Sequence, residues 1–403
     1  MRKVYLATAC LLGALLIPAA PAQAAETCNG LPVTISGNAN GNLIIGTPGN
    51  DVISAGAGND IVSALSGDDT VCLGPGDDVL DGGPGTDTMV ADATPDGRDV
   101  FVGNSAGASE GDVALYSART TPVNVSLDGI DNDGAAGEGD NIDAGKLVGG
   151  SAADVLSSGT KEVGIHLVGG AGGDTLISNA FTEGGAGDDT ISLIAGASGG
   201  TFFGGDGNDT ITGGPNRDTI SGDDGNDKIN GAGGDDAIFG GFGDDVLNGF
   251  LGADNMSGDE GNDTLIGGLG DDVIAGGAGN DSFDGLVTKD GRDLYIGGAG
   301  TDTADYRTRQ FGPTTVLSLS LDGVANDGEP GEGDNLLADI ENVNGGVGSN
   351  VITGNGGPNV LRGGTQGDTI RGADGIPGND SVIGGLGIDS CTADPGDTKD
   401  CES

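Results

Sequence analysis

The chain has very few of the residues on which most enzymes and nucleic-acid-binding proteins depend. Its 403 residues include no Trp and one His, and only 15 Lys and Arg stand against 63 Asp and Glu, for a net charge of −48. The lone His166 leaves zinc sites, Ser-His-Asp triads and Cys-His dyads without their usual members, and we expect it at an exposed or strand-edge position. So acidic a surface also disfavours nucleic acid and anionic lipid as partners. The sequence therefore predicts neither an enzyme nor a nucleic-acid-binding protein.

Glycine, in contrast, is abundant, with 86 residues. This is roughly three times its usual share, which is typical of repeats and not of globular domains. Carboxylates are so numerous that pairs of them do not indicate a glycosidase or aspartic-protease site. We find no catalytic constellation in the chain.

Residues 204–284 repeat one nine-residue unit nine times. Each unit begins with Gly, has Gly in its fourth place except for Asn216, and has Asp in its sixth place and an apolar residue in its eighth. The sixth-place residues are Asp209, Asp218, Asp227, Asp236, Asp245, Asp254, Asp263, Asp272 and Asp281. The eighth-place residues are Ile211, Ile220, Ile229, Ile238, Leu247, Met256, Leu265, Ile274 and Phe283.

This spacing predicts a turn followed by a minimal strand. Six residues with two or three glycines cannot form a helix, and the polar-apolar-polar triplet after them reads as a strand whose middle side chain points inward. Two units would close an eighteen-residue coil, and coils would stack at about 4.8 Å. Sixth-place carboxylates at that distance repel by roughly 1 kcal/mol in water and about 3.5 kcal/mol at an effective dielectric of 20. A hard divalent cation reverses this sign, and carboxylate with carbonyl oxygens suits calcium better than magnesium.

The same register outside residues 204–284 supplies further candidate calcium ligands. Units run from residue 37 to 90, occur singly at 149, 169, 184 and 297, and return from 345. Their sixth-place candidates are Asp51, Asp60, Asp69, Asp78, Asp87, Asp174, Asp189, Asp302, Asp368, Asp380 and Asp389.

The first 24 residues read as a secretory signal peptide. Arg2 and Lys3 precede an apolar run, and Ala22-Gln23-Ala24 makes a small-x-small cleavage site. The alternative is a membrane anchor, which the shortness of the run disfavours. We expect a secreted, extracellular protein.

Export makes disulfides of the four cysteines beyond the signal peptide, for which three pairings exist. Cys391 takes the eighth place of the last unit and Cys72 the ninth place of an early one, with Cys28 before the first array and Cys401 in the tail. Pairs Cys28–Cys72 and Cys391–Cys401 would pin both ends of the stack. Free thiols or a cross-end pairing are the alternatives.

Two interruptions of the repeat are copies of each other. The clearest match is SLDGIDNDGAAGEGDN at 126–141 against SLDGVANDGEPGEGDN at 320–335, an alternating strand followed by an Asp-Gly turn and an acidic loop. This loop is either a second kind of calcium site or a solvated acidic turn. Its candidate ligands are Asp128, Asp131, Asp133, Glu138 and Asp140 in the first copy and Asp322, Asp327, Glu332 and Asp334 in the second.

These patterns divide the chain into consecutive segments. We expect a signal peptide (1–24), an N-terminal cap (25–36), a first array (37–90), insert module copy 1 (91–148), interrupted units (149–203), the main array (204–284), insert module copy 2 (285–344), a last array (345–392) and a C-terminal cap (393–403).

The units, written GGxGxDxUx with U apolar, resemble those of the RTX, or haemolysin-type, calcium-binding family. The resemblance implies an all-β, right-handed parallel β-roll, unfolded without calcium, that binds several calcium ions between turns through sixth-place Asp and glycine carbonyls. The plan is most similar to secreted, repeat-only proteins of high-GC Gram-positive bacteria. It implies a secreted calcium-binding protein with a structural or cell-surface role, with no membrane insertion. The alternative is a calcium-dependent adhesion module for an unidentified carbohydrate or protein.

Overall fold

The chain folds into a parallel β-solenoid of about 19 turns. The computed structural model describes residues 26–103, 111–159, 164–194, 197, 199–284, 290–309 and 316–401. All 41 elements within these residues are strands. The predicted signal peptide lies outside them. No helix long and apolar enough to cross a membrane occurs in the described part of the chain.

Four sheets, parallel apart from the edge strand β13, and one antiparallel ribbon contain all the strands of the described residues. The ribbon pairs β1 (Thr27–Cys28) with β2 (Leu31–Pro32). Sheet I contains β4 (Leu43–Ile45), β6 (Ile61–Ser63), β8 (Val79–Asp81), β10 (Val100–Val102) and β14 (Asn141–Asp143). Sheet II contains β3 (Ile35–Asn38), β5 (Val52–Gly56), β7 (Thr70–Cys72), β9 (Thr88–Val90), β11 (Val113–Leu115), β15 (Lys146–Val148), β17 (His166–Ala171), β19 (Phe181–Ala186), β21 (Thr201–Asp206), β23 (Thr219–Asp224), β25 (Ala237–Phe242), β27 (Asn255–Glu260), β29 (Val273–Gly279), β31 (Leu294–Gly300) and β34 (Asn335–Leu336).

Sheet III contains β12 (Val123–Ser126) with its antiparallel partner β13 (Gly134–Ala135), β16 (Val155–Ser157), β18 (Thr175–Ser178), β20 (Thr190–Leu193), β22 (Thr210–Thr212), β24 (Lys228–Asn230), β26 (Val246–Leu251), β28 (Thr264–Leu269), β30 (Ser282–Asp284), β32 (Thr303–Asp305), β35 (Asn342–Asn344), β37 (Val360–Gly364), β39 (Ser381–Gly385) and β41 (Thr398–Asp400). Sheet IV contains β33 (Val316–Ser320), β36 (Ser349–Thr353), β38 (Thr369–Arg371) and β40 (Ser390–Thr392).

Two successive units form one coil, as the spacing predicts. In the main array the chain alternates between sheets II and III. Each eighth-place residue as far as Leu265 pairs with its equivalent 18 residues on, as Ile220 does with Ile238 and Ile211 with Ile229. All nine eighth-place side chains from Ile211 to Phe283 are at most 1% exposed. The core is therefore a narrow double file of apolar side chains between two sheets.

Each insert module ends one sheet and begins another. In copy 1, β12 begins sheet III, and after the acidic loop β14 returns to pair with β10 as the last strand of sheet I. In copy 2, β33 begins sheet IV and β34 pairs with β31 as the last strand of sheet II. The opposite sheet is continuous each time, because β15 pairs with β11 and β35 with β32.

Both predicted disulfides are confirmed. Cys28 is bonded to Cys72, with their Cα atoms 5.7 Å apart, and ties the N-terminal ribbon to β7. Cys391 in β40 is bonded to Cys401, just after β41, with their Cα atoms 6.4 Å apart. The second bond joins the last strands of sheets IV and III, so it closes the final coil.

Candidate calcium sites

The twenty sixth-place aspartates proposed as ligands all lie inside the solenoid wall. Each is at most 8% exposed, and the nine from Asp209 to Asp281 are at most 2% exposed. The turn sets this position, because the residue directly before a three-residue strand has its side chain among the glycines of its own turn. Buried carboxylates this numerous require an explanation, since each costs several kcal/mol unless it is paired or hydrogen-bonded.

One oxygen of every candidate carboxylate except that of Asp51 accepts a backbone N–H from the neighbouring coil. The backbone N–H of Asp209 donates to Oδ1 of Asp227 at 2.7 Å, and that of Asp227 donates to Oδ1 of Asp245 at 2.7 Å. On the opposite edge Asp218 and Asp236 continue an equivalent series, each donating at 2.8 Å. We call each series a carboxylate ladder; it links turns one coil apart on the same edge.

The second carboxylate oxygen, Oδ2, lacks a hydrogen-bond donor within the described part of the chain in most of the candidates. For eighteen of the twenty candidates Oδ2 is buried and no donor among the described residues reaches it. The exceptions are Asp51 and Asp218, whose Oδ2 atoms accept the N–H of Thr47 and Gly214, each at 2.6 Å. Both stand first in a run of sixth-place carboxylates on their edge.

Glycine is required in the first place because this oxygen lies against it. A Cβ atom added to Gly222 would lie 2.1 Å from Oδ2 of Asp227 and 2.5 Å from the carbonyl oxygen of Gly240, in the next coil. A Cβ on the fourth-place Gly225, with φ of +148°, would lie 1.7 Å from the carbonyl oxygen of Gly207. The turn thus brings carboxylate and carbonyl oxygens together with no room for a side chain.

Asn350 shows which oxygens converge at this point. It takes the sixth place of the unit at residue 345, and its Nδ2 lies 2.8 Å from the carbonyl oxygen of Gly363, 2.9 Å from that of Gly348, 3.3 Å from that of Gly346 and 3.0 Å from Oδ1 of Asp368. An amide offers N–H groups to these acceptors. A carboxylate in the same place has no N–H group, so its oxygen faces other oxygens. A bound cation would offset the repulsion between them.

The oxygens present fit calcium. No group of three or more His, Cys, Asp or Glu side chains able to hold a metal occurs in the described residues, so backbone carbonyls must complete any coordination shell. A mixture of carboxylate and carbonyl oxygens is the set that calcium takes, whereas zinc and copper require nitrogen or sulfur ligands.

Burial raises the pKa of several ladder carboxylates and so opposes their ionisation. Burial, opposed by the hydrogen bond from Asp218 and reinforced by the charge of Asp254, raises the pKa of Asp236 to about 7. Burial likewise raises the pKa of Asp245 and of Asp272 to about 7. Ionised ladder carboxylates therefore destabilise the calcium-free fold at neutral pH, and either protons or metal ions remove that cost.

The units at 149, 169 and 184, separated in the sequence, are neighbours in the fold. Asp154, Asp174 and Asp189 form consecutive rungs at 2.7 Å that lead to Asp209. The opposite edge has no carboxylates here, because Gly145, Ile165, Ala180 and Gly200 stand before β15, β17, β19 and β21. Changes in coil length thus fall on one edge: successive rungs from Asp154 to Asp209 are 20, 15 and 20 residues apart.

Several rungs were missed by the sequence analysis. Asp99 and Asp293 each accept a backbone N–H from the preceding coil at 3.0 Å, from Asp78 and Asp272. The signal that could have found them is short, Gly-Arg-Asp-x-aromatic at 97–101 and 291–295. It preserves the fourth, sixth and eighth places and loses the opening glycines.

The acidic loops of the insert modules have a different arrangement. Both oxygens of Asp133 accept backbone N–H groups, from Ser126 at 2.6 Å and Ile142 at 3.1 Å. Asp327 does the same with Ser320 at 2.6 Å and Leu336 at 3.0 Å. Their carboxylates hold the loop closed through the backbone, which favours the acidic turn over a second kind of calcium site.

The comparisons with known proteins agree with the repeat. A family model described as the RTX calcium-binding nonapeptide repeat matches residues 36–71, 74–97, 194–229, 203–238, 212–247, 230–265, 248–283 and 344–377. No curated protein matches the chain.

Proposed function

We propose, on the premise that this chain is built from RTX calcium-binding nonapeptide repeats, that it is a secreted protein that folds when it binds calcium and then has a structural or cell-surface role. Repeats of this kind bind calcium ions in multiple sites. The ligands proposed are the sixth-place carboxylates, joined by carbonyl oxygens of the first, second and fourth places.

One observation carries the coupling of folding to calcium. Eighteen candidate carboxylates each keep a buried oxygen that no described donor reaches. An unsatisfied buried polar group costs about 1–3 kcal/mol, and more when it is charged. The core that opposes this sum is only a narrow double file of apolar side chains. Calcium binding is then a large part of the folding free energy, as in other small metal-dependent modules.

Calcium titration of the chelated protein, followed by circular dichroism and ion counting, tests the proposal. We expect little β signal in chelator and a cooperative gain at roughly 0.1–1 mM calcium, the range of extracellular modules. Magnesium at the same concentration is the control and is expected to restore less signal, because it demands strict octahedral geometry. A spectrum that chelator leaves unchanged would refute the coupling.

Export is supported by two features besides the predicted signal peptide. The chain has two disulfides, which persist in oxidising compartments. Calcium is also scarce in cytosol and plentiful outside, so the chain would stay unfolded until it is secreted. Detection of the mature chain in culture medium, beginning after Ala24, checks this directly.

An adhesion module is the second candidate, favoured by half-buried aromatic side chains on the outer face of sheet II. The rings of His166 and Phe181 lie 4.5 Å apart edge to face, and those of Phe181 and Phe203 lie 5.7 Å apart. Aromatic side chains on a solvent-facing sheet are a common basis for ligand contact. Retention of the protein on cells with calcium, abolished by Phe203→Ser, would support adhesion; retention unaffected by that change would not.

A further inference from the structure

Each insert module buries one arginine completely. Arg119 and Arg309 follow β11 and β32 in the two copies, and both side chains are 0% exposed. Arginine is almost never fully buried unless it is paired. Because both copies bury an arginine at the same position, we expect this side chain to have a specific structural role.

In copy 1 a single nitrogen joins two turns. Nη2 of Arg119 lies 2.8 Å from Oδ1 of Asp96 and 2.7 Å from Oε1 of Glu138. The backbone N–H of Asp96 donates to that same Glu138 oxygen at 2.9 Å. The carbonyl oxygen of Arg119 accepts the N–H of Ser151 at 3.0 Å, in the turn of the following coil. The guanidinium carbon lies 5.9 Å from the ring centroid of Tyr116.

Copy 2 repeats the arrangement with its own residues. Nη2 of Arg309 lies 3.3 Å from Oδ1 of Asp290 and bonds to Oε1 of Glu332. The backbone N–H of Asp290 donates to that Glu332 oxygen at 3.2 Å. The guanidinium carbon lies 5.7 Å from the ring centroid of Tyr306.

Both arginines stand where a carboxylate ladder ends. The last rung of one ladder runs from the N–H of Asp99 to Asp140 at 2.9 Å, and that of another from Asp293 to Asp334 at 3.1 Å. Asp140 and Asp334 lead into β14 and β34, the final strands of sheets I and II. Along the arrays, carboxylates of successive turns keep an oxygen without a donor. Beside these two end rungs the arginine nitrogen lies between an aspartate and a glutamate of neighbouring turns. Oδ2 of Asp140 also accepts the hydroxyl of Tyr116 at 3.0 Å, whereas Oδ2 of Asp334 has no donor among the described residues.

We infer that Arg119 and Arg309 supply the cation at the two junctions, so that the insert modules keep their structure without calcium and form fixed points between calcium-dependent arrays. The other oxygen of each glutamate is also occupied: Oε2 of Glu138 accepts the N–H of Ala135 at 2.5 Å, and Oε2 of Glu332 accepts that of Glu329 at 2.6 Å. The carboxylates of Glu138 and Glu332 therefore have no oxygen left for a metal ion.

The test is hydrogen exchange with mass spectrometry on the full secreted chain, in calcium and then in chelator. This inference rests on the proposed coupling of array folding to calcium, and the readout separates the two. We expect amides of residues 204–284 to exchange about 100-fold faster in chelator, as for a locally unfolded segment. Amides of β12 to β14 and of β33 to β34 are expected to change little. Loss of protection in arrays and inserts together overturns the inference alone, whereas an array still protected in chelator overturns the proposed function.

Substitutions of Arg119 test whether its positive charge is what protects insert module copy 1 in chelator. Arg119→Met keeps an unbranched apolar stem and removes the cation, so copy 1 is expected to lose protection in chelator while copy 2, in the same molecule, keeps it. Arg119→Met combined with Asp96→Asn and Glu138→Gln removes the charges that need a cation, and we expect it to recover most of the lost protection. Unchanged protection of copy 1 in Arg119→Met, or no recovery in the triple variant, would show that the charge is not what holds the junction.

Discussion

The backbone N–H of Asp236 donates to Oδ1 of Asp254, 2.8 Å away and one coil further along the solenoid. The Oδ2 atoms of both residues have no donor among the described residues. Each carboxylate therefore has one oxygen committed to the fold and one available to a metal ion. The two tasks are separable by substitution.

Asp236→Asn is expected to lower the number of bound calcium ions without lowering the β signal in chelator. The amide retains an oxygen for the N–H of Asp218, and its nitrogen offers hydrogen bonds to the surrounding carbonyls, as Asn350 does at its own position. Removing an unsatisfied charge favours the apo fold locally by about 1–3 kcal/mol. Ion counting with circular dichroism measures both effects.

Asp235→Asn is the matched control. Asp235 is exposed in the fifth place, and its Oδ1 accepts the N–H of Ala253 at 3.0 Å. We expect an unchanged ion count. Equal losses of calcium in the two variants would contradict the assignment of the sixth place.

Gly222→Ala is expected to abolish calcium binding in its turn. The new methyl group would lie 2.1 Å from Oδ2 of Asp227, in the space where a cation would sit. Overpacking of this kind costs about 1–3 kcal/mol. The expected result is fewer bound ions and a higher calcium midpoint for folding.

Gly233→Ala provides the comparison, since its Cβ would meet nothing closer than 3.6 Å. It should bind as much calcium as the wild type. If both variants lose the same number of ions, crowding at the first place is not the cause.

Acid should partly replace calcium in the chelated protein. Burial raises the pKa of Asp236, Asp245 and Asp272 in the folded state to about 7, whereas an unfolded aspartate titrates near 3.9. Between those values the folded chain binds more protons than the unfolded one, so the free energy of unfolding rises as pH falls from about 8 towards 4.

Circular dichroism in chelator across this range checks the sign, and the β signal is expected to grow on acidification. With calcium present the trend reverses, because protons compete for the carboxylates and weaken binding. A chelated protein that loses β signal steadily between pH 8 and pH 5 would argue against buried, strained carboxylates.

Cys391→Ser is expected to open the C-terminal end alone. A disulfide that closes a loop of 10 residues contributes about 2–3 kcal/mol in the chain-entropy model. The loss falls on the last coils, because repeat stacks fray from their ends. Limited proteolysis in calcium should cut faster after residue 363 while residues 204–284 stay protected. Cleavage accelerated throughout the chain would show that the bond stabilises more than its end.

The sequence was sufficient to predict the coil, because its determinants are local. The eighth-place Ile220 and the sixth-place Asp227 are set by turn and strand chemistry within nine residues, and periodicity reveals both. The cysteine pairs followed from their places in the register. The contacts of Arg119 did not, since Glu138 reaches Asp96 from 42 residues away and only the fold brings the three together.

The sequence also did not reveal that one sheet ends and another begins at each insert module. The strands before the acidic loops show the alternation of any half-buried strand, with Val123 and Val125 inward. Nothing in that alternation says whether β12 extends an existing sheet or begins a new one. That choice depends on β14 pairing with β10 across a separation of about 40 residues.

The two sheet exchanges lie at different heights and on opposite faces of the solenoid, which has a mechanical consequence. A pull along the axis loads the hydrogen bonds between successive strands in series, and a sheet end is the natural place for such a rod to part. Sheet II passes unbroken beside the junction of sheets I and III, and sheet III passes unbroken beside the junction of sheets II and IV. The two junctions are therefore staggered along the axis, and no single cross-section meets a sheet end on both faces.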